Sequence, residues 1–373
     1  MMLTKKSWIV FTVILGAAMG AGYYRAQAKP AASTVPRAEN LHADRVILRE
    51  TVATDEQAPG QEMRREAVLM GCQFVFVVDA PEQQALAAIK AASDRIKDLE
   101  AAISSWKPGS DIARLNESAG IRPVSVGPDT LHLLKISREL NQETAGAFDV
   151  TIGPLWNLWP FANKSSNRIP TVEDIERIKP LVDSSALVLD EKQGTAFLTK
   201  KGMYINLGAI GKGYAAELGI QAMREHGIKR AAVSASGDMY LLGKKRSGPW
   251  VVDIEHPRWE GRSLARFLAG DIAIATSGDA KQFVMQDGKR YGHILNPATG
   301  MPADEAQSVT IVTQSPTLAD AYATAVFVMG PRQGLDWVNR HDGVEALIVD
   351  ANGNQHTSDG WNKFVREGEQ HEQ

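Results

Sequence analysis

The chain has 373 residues, 44% hydrophobic and 23% charged, with 41 Lys plus Arg against 44 Asp plus Glu and a formal net charge of -3. That balance is ordinary for a globular protein with a sizeable core, and it offers no basic footprint for nucleic acid. The single cysteine, Cys72, excludes an internal disulfide and a thiolate metal cluster.

Lys5 and Lys6 precede a nearly apolar run from Trp8 to Gly22, which closes on Ala26, Gln27 and Ala28. This is a signal-peptide pattern with an A-x-A-like cleavage site, and Arg25 beside that site leaves cleavage or an uncleaved anchor open. The positive flank keeps the N-terminus inside, so the remaining chain is expected across the membrane. Residues 1–28 are thus read as signal or anchor, 29–66 as a Pro/Ala/Ser/Thr-rich linker or lead-in, 67–365 as the functional domain and 366–373 as a polar tail.

From Ala67 the run AVLMGCQFVFVVD has the composition of a buried strand, and Pro81 opens a helix. Leu86, Ile89, Ile96, Leu99 and Ile103 recur at helical spacing and form its core stripe. SSWKPGSDIARLNES reads as a loop, and a second helix around Thr130 to Thr144 closes toward Gly146. In the following AFDVTIGPLWNLWPF, Phe148, Trp156, Trp159 and Phe161 are core filler first and a ring-binding wall second. Asp149 and Thr151 could add hydrogen bonds to a planar ligand. A short surface helix over 170–180 and two strands lead to Tyr204.

YINLGAIGKGYAAE, residues 204–217, breaks a short strand into glycines and restarts as a helix. Gly208, Gly211 and Gly213 allow a ligand close to the backbone, while the new helix's N–H groups and Lys212 favour anionic oxygens. A plain glycine turn is the competing reading. The spacing matches neither the P-loop nor the Rossmann fingerprint, which disfavours both common nucleotide folds.

Beyond it, AAVSASGDMYLLG, WVVDIEHP, IAIATSGD and YGHILNPATG are short β segments that, with the helices, give a mixed α+β reading. His293 lies beside the Asn296-Pro297 and Thr299-Gly300 turn; a lone histidine is more often structural, but this one is the best placed of the eight. SPTLADAYATAVFVMG is a helix with Ser315 as N-cap, Pro316 at N1, Gly330 just past its end and Pro331 beyond. Asp320 and Thr324 share one face. They suit Mg²⁺, which takes few protein ligands, or else they serve the helix itself, Thr324 bonding back to a carbonyl and Asp320 the first turn.

Taken together and in order, MGC at Met70, AFDVTIGPLWNLW at Ala147, INLGAIGKGYAAE at Ile205, SASGD at Ser234, ATSGD at Ala275, HILNPATG at His293 and LADAYATAVFVMG at Leu318 resemble the ApbE family of FAD:protein FMN transferases. The resemblance implies a two-lobed, T-fold-like α+β enzyme outside the cytoplasmic membrane that uses Mg²⁺ to cleave FAD. FMN would be joined by a phosphoester to a Thr or Ser of an acceptor flavoprotein, itself membrane-bound or exported, and AMP released. It places metal ligation on Asp320, Thr324 and the Ala209 carbonyl. Flavin and nucleotide contacts fall on Met70, Trp106, Ala147, Phe148, Asp149, Asn206, Lys212 and Ile294, and the base on His293. The family usually has Asp at Asn206, Thr at Cys72 and often Tyr at Trp106. Two other readings compete: a pyrophosphatase giving FMN and AMP, and a flavin carrier without turnover, which would not need Asp320 or Thr324.

Overall fold

The computed structural model describes residues 46–48, 62–161 and 168–363, all within the compact unit 40–373. The signal-or-anchor segment and the polar tail lie outside the described residues. In chain order the strands are β1 (Val46–Leu48), β2 (Glu62–Leu69), β3 (Cys72–Asp79), β4 (Val124–Ser125), β5 (Leu187–Asp190), β6 (Thr195–Leu198), β7 (Ala231–Ala235), β8 (Asp238–Leu242) and β9 (Trp250–Glu255). They continue with β10 (Ser263–Ala269), β11 (Ile272–Gly278), β12 (Phe283–Gln286), β13 (Lys289–Gly292), β14 (Ala306–Thr313), β15 (Glu345–Asp350) and β16 (Gln355–Thr357). The helices are α1 (Glu82–Ile103), α2 (Asp111–Glu117), α3 (Pro128–Glu143), α4 (Gly153–Leu158), α5 (Val172–Ile178), α6 (Gly211–Glu225) and α7 (Pro316–Val338).

An antiparallel sheet in the order β16-β15-β14-β11-β8-β7-β3-β2 is the frame. The residues alternate in and out of its two faces. On one face Phe74, Phe76, Val233 and Ile311 pack with Ile96 and Leu99 of α1, Ala215 and Ala216 of α6 and Phe327 of α7. On the other, Val77, Ala232 and Leu241 meet Trp250, Val252 and Ile254 of β9, which pairs with β1 and β10. The α+β expectation therefore holds, with a predominantly antiparallel sheet between helices and a second small sheet.

Local turn chemistry sets one end of this frame. β2 and β3 join through Met70 and Gly71, both left-handed at φ 52° and 73°, and β7 and β8 join through Ser236 and Gly237 at 54° and 109°. Two-residue turns with positive φ match the right-handed twist of the strands they join. Both turns and the end of β11 fall at the same end of the sheet, since Phe74 pairs with Ala235 and Ile274 with Met239.

Several sequence expectations are corrected. The strand placed from Ala67 is a hairpin beginning at Glu62, so the lead-in over 29–66 contains β1 and the first part of β2. The supposed loop before Thr130 contains α2, capped by Ser110, whose hydroxyl accepts the Ala113 N–H at 3.0 Å. Leu86, assigned to the α1 stripe, is 44% exposed, while Ile89, Ile96, Leu99 and Ile103 are buried. Phe148, Trp159 and Phe161 are buried and Trp156 is half-buried; Trp159 and Phe161 stack within a small separate core with Leu155, Ile175 and Leu295. The core-filler reading thus holds for those two rings. In α7, Ser315 caps the start by accepting the Leu318 N–H at 3.3 Å. Gly330 at φ 76° breaks the helix where the capping signals placed its end, and a helical turn resumes at Pro331.

Candidate functional site

The site forms where α6 and α7 begin against the turn end of the sheet. Gly213, in the first turn of α6, lies so close to α7 that an added Cβ would fall 2.1 Å from the Pro316 carbonyl oxygen and 2.8 Å from Asp320 Cβ. Only hydrogen fits there, and that absence of a side chain lets the Gly213 N–H donate to Asp320 Oδ2 at 2.9 Å. Asp320 thus caps α6 from a neighbouring helix, a favourable place for an anion at the helix's positive end. Sequence had reserved these N–H groups for a ligand, and the structure gives one of them to Asp320.

Lys212 completes the arrangement. Its ammonium donates to Asp320 Oδ1 at 3.1 Å and to Asp238, which starts β8. Burial opposes charge on Lys212, but the attraction of Asp238 and Asp320 outweighs it and holds its pKa above the ordinary lysine value. Burial pushes Asp238 up to about 7 against the pull of Lys212, and the Asp320 charge adds to the rise. The side chains of Asp238 and Asp320 are 8% and 4% exposed. Two nearly buried carboxylates therefore share one ammonium, and with both ionised the cluster carries a net charge of -1 in a setting of low dielectric. Another cation is electrostatically favoured beside them.

Oxygen donors surround this cluster. Thr324, one turn along α7 from Asp320, lies 3.2 Å from Ser277 Oγ at the end of β11. Thr276 donates its N–H to Asp238 Oδ1 at 3.3 Å. Among the described residues no group of three or more His, Cys, Asp and Glu forms a ready-made metal cage. The two carboxylates and the hydroxyls of Thr324 and Ser277 are hard-oxygen donors, of the kind that suits Mg²⁺ rather than zinc or a softer metal. Cys72 borders the cluster through Ser236; burial pushes its thiol pKa up, so it stays protonated.

The glycine loop is tied to the aromatic segment. Asn206 donates its backbone N–H to the Val150 carbonyl at 2.8 Å, and Tyr204 bridges Ile152 in parallel. The Asn206 side-chain oxygen is occupied by the Gly208 N–H at 2.8 Å, leaving its amide NH₂ as the group to offer a ligand. Asn116 of α2 fixes Ile205 from the other side, accepting its N–H at 2.7 Å and donating to its carbonyl at 3.2 Å.

Asp149 is turned inward: Oδ1 accepts from the Thr151 N–H at 2.7 Å and hydroxyl at 2.6 Å, and Oδ2 from Asn141 at 3.2 Å. Burial raises its pKa against those bonds. Its carboxylate shapes the loop that Ala147 and Phe148 present, Ala147 half-buried and Phe148 buried. Met70 packs at the start of α6, where an added Gly211 Cβ would lie 3.5 Å from its terminal methyl. Trp106 stands 69% exposed beside Ser105, whose carbonyl accepts from the Tyr204 hydroxyl at 3.1 Å.

His293 follows β13, half-buried, with Ile294 packed into the core behind it. Its Nδ1 lies 3.2 Å from the Gln282 carbonyl oxygen, which can only accept, so Nδ1 carries the proton and Nε2 keeps its lone pair. Burial lowers its pKa to about 4, the Gln282 carbonyl pulls it up, and Lys212 lowers it further. Loss of hydration is the largest cause of the fall. Solvent reaching the half-buried ring moderates the depression.

The structure thus joins Asp320 and Lys212 directly, sets Thr324 one helical turn from Asp320 against Ser277, brings His293 within range of the Lys212 charge, and links Asn206 through the backbone to Val150, which follows the Ala147–Asp149 loop. Sequence reading quoted SASGD and ATSGD as motifs without assigning a role to Asp238 or Ser277. The duplicated Ser-Gly-Asp, at 236–238 and 277–279, was the available signal. Nothing local marked Asn116.

A family model described as the ApbE family matches residues 70–348. A FAD:protein FMN transferase of Vibrio cholerae serotype O1 is 30% identical over 315 residues, covering 83% of this chain and 92% of the relative. One from Escherichia coli strain K12 is 30% identical over 259 residues, 67% and 73% of the two chains. Among solved structures, the ApbE protein of Thermotoga maritima superposes with a TM-score of 0.77 at 31% identity, over 82% of this chain and 100% of that one. The flavin transferase ApbE from Vibrio cholerae gives 0.74 at 28%, with the same coverage.

Proposed function

Because the chain belongs to the ApbE family, we propose that it is an FAD:protein FMN transferase that works with Mg²⁺ on the outer side of the cytoplasmic membrane. The observation that carries the reading is the Asp238–Lys212–Asp320 cluster at the α6 N-terminus, its two carboxylates buried and its ammonium half-buried, with Thr324 one turn along α7 and His293 in range of its charge.

In the reaction, the hydroxyl oxygen of an acceptor Thr or Ser bonds to the phosphorus bearing the FMN part of FAD. The bridging P–O bond breaks, AMP leaves with that oxygen, and the hydroxyl proton passes to Nε2 of His293. Asp320, Thr324 and the Ala209 carbonyl would hold Mg²⁺, which when bound would supply positive charge for the pyrophosphate oxygens. Asp320 is held ready for it, one oxygen on the Gly213 N–H and the other on Lys212. Lys212 remains charged throughout and adds a fixed positive field to the site. The glycine loop lets the dinucleotide approach the backbone, Asn206 offers an amide donor, and the Ala147–Asp149 loop with Met70 and Trp106 bounds the ring region. The neutral ring of His293 is already in the form a base requires.

Mixing the purified protein with FAD, Mg²⁺ and a candidate acceptor domain should give a fluorescent acceptor band in a denaturing gel. Free FMN and AMP in stoichiometric amounts without a labelled acceptor would establish the pyrophosphatase instead, and bound FAD without cleavage the carrier. The acceptor on this reading is itself exported or membrane-bound, because the N-terminal pattern addresses the enzyme there.

A further inference from the structure

The second Ser-Gly-Asp segment packs an aspartate against Gly292, the residue before the proposed base. Asp279, immediately after β11, is held on all its polar groups. Its N–H donates to the Gln307 carbonyl at 3.2 Å and its carbonyl accepts from Arg290 Nη1 at 3.1 Å. Its carboxylate accepts from both terminal nitrogens of Arg258, Nη1 to Oδ1 at 2.6 Å and Nη2 to Oδ2 at 2.8 Å. This is the bidentate geometry in which a guanidinium fixes a carboxylate most firmly. Arg258 lies between β9 and β10, on a different sheet.

Asp279 and His293 bracket the segment that contains the β12–β13 hairpin. The two ends touch: a Cβ on Gly292 would come within 3.1 Å of Asp279 Cβ. The next residue is His293, whose N–H donates to the Gln282 carbonyl at 3.0 Å while Nδ1 addresses the same oxygen. The segment is further stiffened by the Arg290 guanidinium, 3.9 Å from the Phe283 ring centroid. Its anchorage at the Asp279 end runs through Arg258 on the side chain and the Gln307 carbonyl on the backbone.

We propose that Asp279, clamped by Arg258, is the positioning carboxylate of this site: it fixes the segment that presents His293 and, through the degree to which Arg258 neutralises it, sets the charge the imidazole feels. The proposal rests on His293 as the base only for its catalytic consequence. The charges facing His293 are Lys212 from α6 and Asp279 after β11. Arg258 and Arg290 act on it through Asp279, and Lys281 lies in the same loop. Lys212 disfavours the imidazolium and Asp279 favours it. Removing the carboxylate and removing its guanidinium must therefore move the ring's titration in opposite directions, which a merely structural clamp would not do.

The test is an NMR titration of the histidine ring nitrogens in the full chain, with His293 assigned by the signal lost in His293→Gln. Asp279→Asn should lower the His293 midpoint and Arg258→Gln should raise it, each by about half a pH unit for a nearby charge in a partly hydrated setting. Arg258→Lys, which keeps the positive charge, should restore most of the original midpoint. Midpoints that do not move, or that move the same way in both variants, overturn the proposal. If Asp279→Asn does not fold, Arg258→Gln against Arg258→Lys carries the same comparison, and equal midpoints there overturn it. Transfer rates across pH separate this from the base assignment. If the midpoints split as expected but the acid limb of transfer ignores them, His293 is not the base and the Arg258–Asp279 assignment stands.

Discussion

Replacing Gly213 with alanine adds one methyl group to the tightest contact in the site. Built on the existing backbone, that carbon would lie 2.1 Å from the Pro316 carbonyl oxygen, 2.8 Å from Pro316 C and 2.8 Å from Asp320 Cβ. Ordinary contact begins near 3.4 Å, so the first turns of α6 and α7 must part by about 1 Å, and neither can give by rotating a side chain. Alanine's better helix propensity returns about 1 kcal/mol, while overpacking of this kind typically costs 1–3 kcal/mol and more when backbone must move. A net loss on the order of 1–2 kcal/mol lowers the melting temperature by about 2–8 °C, at roughly 2–4 °C per kcal/mol for a large domain. The functional loss should be greater. The Gly213 N–H bond to Asp320 Oδ2 breaks, and displacement of a positioned group by about 1 Å is worth on the order of 10²-fold in rate. Gly211→Ala is the control for stability alone, since its added carbon meets only the flexible ends of Ile103 at 3.3 Å and Met70 at 3.5 Å and should leave the melting temperature nearly unchanged. Differential scanning calorimetry and single-turnover transfer to an acceptor domain measure the two effects. A Gly213→Ala enzyme with unaltered melting and transfer would refute the close approach of the two helices and the cap that depends on it.

Asp320→Asn should keep the fold, because Lys212 retains Asp238, yet abolish Mg²⁺-dependent FAD cleavage; turnover equal to the parent enzyme would remove Asp320 from the metal. Trp106→Ala should leave stability unchanged, as the ring is 69% exposed, and weaken FAD binding by about 1–3 kcal/mol if a base or flavin stacks on it, read by fluorescence titration. His293→Ala should cut transfer by about 10²- to 10⁴-fold with little change in FAD affinity. With the parent enzyme, transfer should persist as pH falls through 6.5 and fail on approach to about 4, because only the neutral ring accepts a proton. The same depressed pKa means the unfolded chain binds more protons in that window, so stability should decline across it as well. An alkaline phosphatase fusion joined after Lys29 should be active outside the cytoplasm; an inactive fusion would sink the compartment assignment.

Much of the architecture was legible along the chain because it is encoded by near neighbours. The start of α7 is written in Ser315 and Pro316 and its break in Gly330, and each acts on backbone groups within one helical turn. The restart at α6 is visible in the glycines of the 204–217 stretch, and Asp320 and Thr324 share a face by helical period alone. The order of motifs was enough to identify the family. Errors fell where a local pattern was ambiguous. The Pro108-Gly109 signal concealed the Ser110 cap and helix α2, and Leu86 fits the α1 period yet is 44% exposed, because period alone does not say how wide a stripe the neighbouring elements cover.

The sequence by itself determined the elements, the glycine loop and the residue types a pyrophosphate site requires, since propensity, capping and periodicity operate over a few residues. Only the tertiary structure decided who neutralises whom. Asp238 reaches Lys212 across 26 positions and Asp320 reaches it across 108. Asn116 holds Ile205 from 89 positions away, and Arg258 meets Asp279 from another sheet. The strength of each such bond depends on burial, and burial is a property of the packed sheet and helices rather than of any segment. The same holds for His293, whose depressed pKa comes first from lost hydration, a quantity that exists only once the chain has closed around it.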